Sequence, residues 1–226
     1  MHSEGIYCGP DVLYHILMNQ KDMIDYYRLN SKKNFLKNPN CDEGKAITFP
    51  TSGYESPKTT GWICGHGGDW KLEKHIGCDS YPPDAGNPQC NLVSSYMSCD
   101  RRQEIDLSEY FPKIGELISN GFSVKLLWQV WVAPRYDCKS KFSAKLDISD
   151  KTIKLREINL EAGRQWVELT EEVDITKLLR GKTMFTYTET AKDRQYWAGH
   201  YGAKVLSPSI RVRIGKSSGK ASASNK

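Results

Sequence analysis

The chain has 226 residues, enough for one domain with a real core, or one domain plus an appendage. Lys and Arg number 32 against 27 Asp and Glu, and three of the cations (Lys216, Lys220, Lys226) lie in an acid-free tail, so the body is close to neutral and lacks the basic face of a nucleic-acid binder. No apolar run approaches the ~20 residues of a membrane helix, and residues 1–20 carry acids and a broken apolar run rather than a signal peptide, so the expected location is cytoplasmic.

Residues 11–38 carry a helical stripe (Val12, Leu13, Ile16, Leu17, then Ile24, Tyr27, Leu29, Phe35 and Leu36), closed by Pro39. The spacing predicts helix there. Residues 39–91 are rich in Gly, Pro, Asn and Ser, which predicts long loops with short strands such as 70–73; residues 48–60 have the composition of a mobile insertion. From Asn91 the pattern is β. Strands are expected at 92–97, 104–107, 122–132, 140–148, 151–160, 165–169, 183–188 and 209–214, with one short helix within 107–118 interrupted by Pro112. In the strongest of these, Phe122, Val124, Leu126, Trp128 and Val130 alternate onto one face. Loops and helix come first and only strands follow, so the expectation is an all-β, antiparallel β-sandwich or jelly roll preceded by short linker helices, with residues 215–226 a disordered basic tail.

The seven cysteines form no CxxC pair, so free thiols are expected. The five histidines have no metal spacing, and neither a metal nor a cofactor is expected. There is no GxSxG, HExxH or P-loop. Asp69, Glu73 and Asp79 could supply carboxylates to a hydrolase, but acidic turn residues are common.

The most informative stretch is 195–202, Gln-Tyr-Trp-Ala-Gly-His-Tyr-Gly. Its two glycines argue against a strand, so it is a shaped loop that holds amphipathic rings near solvent. Such rings suit sugars, which present an apolar face and a hydroxyl rim; the alternative is that they plug the end of the core. Residues 134–138 form a second loop, after the apolar strand. Loops at one end of a sandwich commonly make the binding surface.

Six segments in order resemble the F-box-associated domain of the F-box-only proteins that recognise sugar chains: 34–39, 43–44, 67–73 (Gly-Gly-Asp-Trp-Lys-Leu-Glu), 95–99, 103–107 and 196–202. The resemblance covers about residues 22–215. It implies a galactose-binding-like jelly roll at 39–214 behind a helical linker at 1–38. It also implies a non-catalytic substrate receptor of a Skp1–cullin–F-box ubiquitin ligase, binding the chitobiose core of high-mannose N-glycans on misfolded glycoproteins exported from the endoplasmic reticulum. In that family the sugar contacts correspond to Tyr196 and Trp197, an aromatic wall to Tyr96, and a hydrogen-bonding carboxylate to Asp137. Departures are Ala198 where the best sugar binder has Lys, Glu189-Thr190-Ala191 in place of His-Gly-Gly, and His200 where Trp is frequent. No F-box is recognisable ahead of the resemblance, so stable Skp1 binding by this chain is not expected. Two other readings stay open: a protein-binding adaptor of the same fold without glycan affinity, and a carbohydrate-active enzyme.

Overall fold

The computed structural model describes residues 32–43, 54–57, 60–65, 67–109, 111, 114–179 and 183–216. Most of the 11–38 segment and the 48–60 insertion, and His66, lie outside them.

The fold is a β-sandwich of two antiparallel sheets. The first has six strands: β1 (Tyr54–Glu55), β3 (Lys71–Glu73), β4 (Asn91–Val93), β11 (Lys204–Lys216), β6 (Phe122–Ala133) and β9 (Val167–Asp174), in that spatial order. The second has five, in the order β2 (Ile63–Cys64), β5 (Cys99–Asp106), β10 (Met184–Asp193), β7 (Ser140–Ile148) and β8 (Lys151–Leu160). One short α-helix, α1 (Ile114–Ser119), and two 3-10 turns are the helical elements among the described residues.

Alternation drives the packing. Phe122, Val124, Leu126, Trp128 and Val130 of β6 all face inward and are buried. Opposite them lie Phe142, Ala144 and Leu146 of β7 and Phe185 and Tyr187 of β10. Full burial of such a side chain stabilises by about 1.5–3 kcal/mol, so one central strand anchors much of the core.

The inner face of the five-stranded sheet also carries polar groups. Trp128 Nε1 donates to Tyr187 Oη at 2.8 Å, Tyr187 Oη donates to Glu189 Oε1 at 2.6 Å, and Arg101 Nε meets Glu189 Oε2 at 2.7 Å. Arg101 and Glu189 are essentially inaccessible to water. Burial alone would pull the guanidinium down, but Glu189 beside it holds it above its ordinary value. The Arg101 guanidinium also stacks 4.0 Å over Trp62 and donates to the Pro39 carbonyl at 3.0 Å.

Through that bond the network grips an N-terminal strap. Gln103 pairs with both backbone groups of Lys37, and Trp62 Nε1 donates to the Asn38 carbonyl. Phe35 N–H donates to the Ile210 carbonyl on the other sheet. The strap therefore ties both sheets together.

Several elements differ from the sequence expectations. Residues 32–38 are turn and irregular backbone, not helix. Asn34 Oδ1 accepts from both Leu36 and Ile210 N–H, so a local turn and a tertiary bond replace the helical bonds. The strand expected at 92–97 stops at Val93, because Ser95 N–H and Oγ turn in to Cys99 Sγ. Strands β5, β9, β10 and β11 run beyond their expected limits. Gly215 and Lys216, expected in the disordered tail, pair with Ser123 and Phe122.

Candidate functional site

Four loops meet at one end of the sandwich: residues 67–70, 94–98, 134–139 and 194–203. Backbone hydrogen bonds fuse them. Gly68 N–H donates to Ser98, Asp193 N–H to Ser95, Gly202 N–H to Ser94 and Arg194 N–H to Lys139. The close approach needs glycine at 202, where a Cβ would lie 2.3 Å from Ser94 Oγ and 2.8 Å from Asp193 N.

The 194–203 loop presents its rings from a constrained backbone. Tyr196 has φ +58°, the left-handed region that non-glycine residues avoid. The buried carboxylate of Asp193 holds it there: Oδ1 accepts from Gln195 N–H at 3.0 Å and Tyr196 N–H at 2.5 Å. The result is a Tyr196 ring 70% exposed and a Trp197 ring 40% exposed. A rigid turn thus leaves much of two large aromatic surfaces in water. They are available to a ligand.

Behind them, the edge of Tyr201 meets Trp197 with ring centroids 6.1 Å apart, and the Arg135 guanidinium stacks 4.4 Å over Tyr201. Arg135 Nε also pairs with Asp137 Oδ1 at 2.9 Å. Asp137 is thus linked to Trp197 through Arg135 and Tyr201, and its Oδ1 is already engaged. Tyr96 lies exposed on the turn after β4, next to exposed Met97, rather than within a strand. All four residues singled out from sequence (Tyr96, Asp137, Tyr196, Trp197) therefore stand on loops of one end. No ring contact joins Tyr96 to Trp197 among the described residues.

The loop also carries a charge contact. His200 Nε2 lies 2.8 Å from Asp69 Oδ1, and Lys71 Nζ lies 3.1 Å from Asp69 Oδ2. Partial burial pulls the Asp69 carboxyl up, but His200 and Lys71 outweigh it and hold it below its ordinary value of 3.8.

Sequence reasoning did not single out Arg135, Tyr201 or Asp193 as site residues. Asp193 carried a usable signal, since an Asp two residues before a Gly- and aromatic-rich loop commonly caps the following N–H groups. Arg135 carried none, because its partners come from another loop. Among the described residues no thiol is poised for chemistry: burial pushes Cys138 and Cys78 up to about 11 and Cys90 up to about 12, and raises Cys41, Cys64 and Cys99 as well. Cys90, Cys99 and Cys138 are all fully buried, and the six described cysteines are free. Among the described residues no group of His, Cys, Asp and Glu is arranged to hold a metal ion.

Residues 26–212 match the family model described as the F-box associated region. The chain is 31% identical over 163 residues to F-box only protein 27 of Mus musculus, covering 68% of this chain and 55% of that protein. It is 26% identical over 178 residues to human F-box only protein 17, covering 76% and 61%. It is 28% identical over 200 residues to human F-box only protein 6, covering 84% and 62%. The chain thus spans less than two thirds of the length of each of these relatives.

Proposed function

The chain belongs to the F-box associated family, and from that premise we propose that it is a non-catalytic substrate-recognition module of a Skp1–cullin–F-box type ubiquitin ligase, binding the chitobiose core of N-glycans on misfolded glycoproteins exported from the endoplasmic reticulum. The observation that carries the reading is the pair Tyr196 and Trp197, exposed on a turn held by Asp193, with Asp137 on the adjoining loop. Trp197 supplies a flat apolar platform for the CH face of an N-acetylglucosamine ring. Tyr196 and Tyr96 flank it. Asp137 Oδ2 accepts a hydrogen bond from a hydroxyl or amide of the same disaccharide, while Arg135 holds Oδ1. With Ala198 next to the platform, no ammonium group adds to the contact there, and affinity is lower than in a Lys-bearing relative.

Calorimetric titration with chitobiose tests this. Heat of binding at millimolar ligand that is lost in Trp197→Ala supports the site, and no heat in the wild type rejects it. A second reading is favoured by Met97, Tyr136 and Ile76, which are also exposed around these loops. They widen the apolar end toward polypeptide contact. Retained capture of a glycoprotein client after its glycans are removed would select that reading.

A further inference from the structure

On β10, Phe185, Tyr187 and Glu189 point into the core, so Thr186, Thr188 and Thr190 point out. The strand register sets Glu104, Arg102 and Asp100 of β5 beside them on one flank. On the other flank, Asp147 and Lys145 of β7 face Thr186 and Thr188. Short hydroxyl side chains between longer charged ones make a trough of about 610 Å³ on the outer face of the five-stranded sheet. A second hollow of about 260 Å³ continues it past Thr190 to Ser98 and Lys192. There the Lys192 ammonium lies 5.6 Å from the Tyr196 ring. Lys192 thus connects the far end of the hollow to the aromatic loop.

We propose that this trough is a second carbohydrate subsite, which holds the mannose-rich branches of the glycan whose core docks at Trp197; it rests on the glycan reading above. A flat solvated sheet face would be ordinary, but this one is concave, and the hollow that adjoins it at Thr190 is lined by Lys192, which neighbours the exposed Tyr196 ring. Its hydrogen-bonding groups are available. The three Thr hydroxyls, Asp100, Glu104 and Arg102 have no side-chain partner among the described residues. Lys145 and Asp147 neutralise each other at 2.9 Å.

The chemistry of the walls selects the occupant. Along the trough the rows read acid, base, acid, so a run of like charge meets repulsion at alternate steps. A neutral polyhydroxylated chain brings donors and acceptors together and no charge. A peptide adds to a sheet through a free edge or fills apolar pockets. Here the floor strand β10 is paired on both sides and the floor is hydroxylic.

The test is calorimetric titration of the full chain with chitobiose and with a high-mannose chain on chitobiose. Variants are Thr188→Arg, which fills the floor from an outward strand position, and Thr188→Ser, which keeps the hydroxyl. The wild type should bind the larger glycan at least about tenfold more tightly, as one or two added hydrogen bonds would give. Thr188→Arg should lose that advantage while keeping its chitobiose affinity and thermal midpoint, and Thr188→Ser should keep it. Equal affinity of the wild type for both ligands overturns the trough alone, as does an advantage that survives Thr188→Arg. An advantage that appears only with the unfolded polypeptide of a client trimmed to chitobiose assigns the trough to peptide and overturns the proposal. Absence of chitobiose binding itself removes the aromatic-loop reading, and the trough with it.

Discussion

Two regions of this molecule use the same pairing in opposite surroundings. In the core, Arg101 stacks 4.0 Å over Trp62 and pairs with Glu189. At the loop end, Arg135 stacks 4.4 Å over Tyr201 and pairs with Asp137. Arg101 and Glu189 have essentially no access to water, so removing either would leave a buried charge uncompensated. Arg135 and Asp137 are partly hydrated, with side-chain exposures of 20% and 28%. The first pair holds the strap and the inner face of a sheet in one arrangement. The second leaves an oxygen and two rings open to solvent. Burial converts a cation–aromatic–carboxylate cluster into a fold determinant, and partial exposure leaves it available for recognition.

The comparison breaks most visibly at Glu189. Glu189→Ala leaves Arg101 buried without its counter-charge and should cost about 3–5 kcal/mol, read as a lowered urea midpoint. An unfolding midpoint within experimental error of wild type would mean that water reaches Arg101. At the loop end the loss should appear in binding instead. Asp137→Ala should weaken chitobiose binding roughly ten- to a hundredfold, and Trp197→Ala at least as much, with little change in unfolding midpoint. A midpoint that falls with the affinity would make these residues structural after all.

Asp193 lies between the two regimes, buried but serving the exposed loop. Asp193→Ala should lower stability by about 1 kcal/mol, the scale of a lost cap. It should also weaken ligand binding although the residue touches no ligand. Asp193→Asn, which keeps an acceptor oxygen, should recover most of both. The smallest effect is the pH response of the loop tie. The Asp69 carboxyl sits below its ordinary value of 3.8 in the folded protein. Its contribution to stability is therefore present above that value and is lost as pH falls through the lower, folded one. An NMR titration of the Asp69 side-chain carboxyl should place its midpoint below 3.8, and replacing His200 with Ala should move that midpoint back up.

The strands that could be read from sequence are those whose alternation needs no distant partner. Ser140–Ile148 and Lys151–Leu160 match their expected limits because a two-residue turn, with Ser149 at φ +59°, bounds both. The inward face of β6 was legible for the same reason. The start of β11 was not. Lys204 reads as a surface residue, yet it is buried against Glu73, 131 positions away. β4 failed in the other direction, since Ser95 bonds to Cys99 in place of a neighbouring strand.

The sequence by itself determined the all-β pattern, the inward stripe of β6 and the exposed aromatic loop, because periodicity and glycine placement are local properties of the chain. Only the tertiary structure decided which loops share an end, which carboxylate is held by which cation, and that three threonines floor a trough. Those relations depend on strand order and register, which bring Asp69 to His200 and Arg101 to Glu189 across long stretches of chain. Pairings at such distances follow from the packing of two sheets and leave no periodic trace in the sequence.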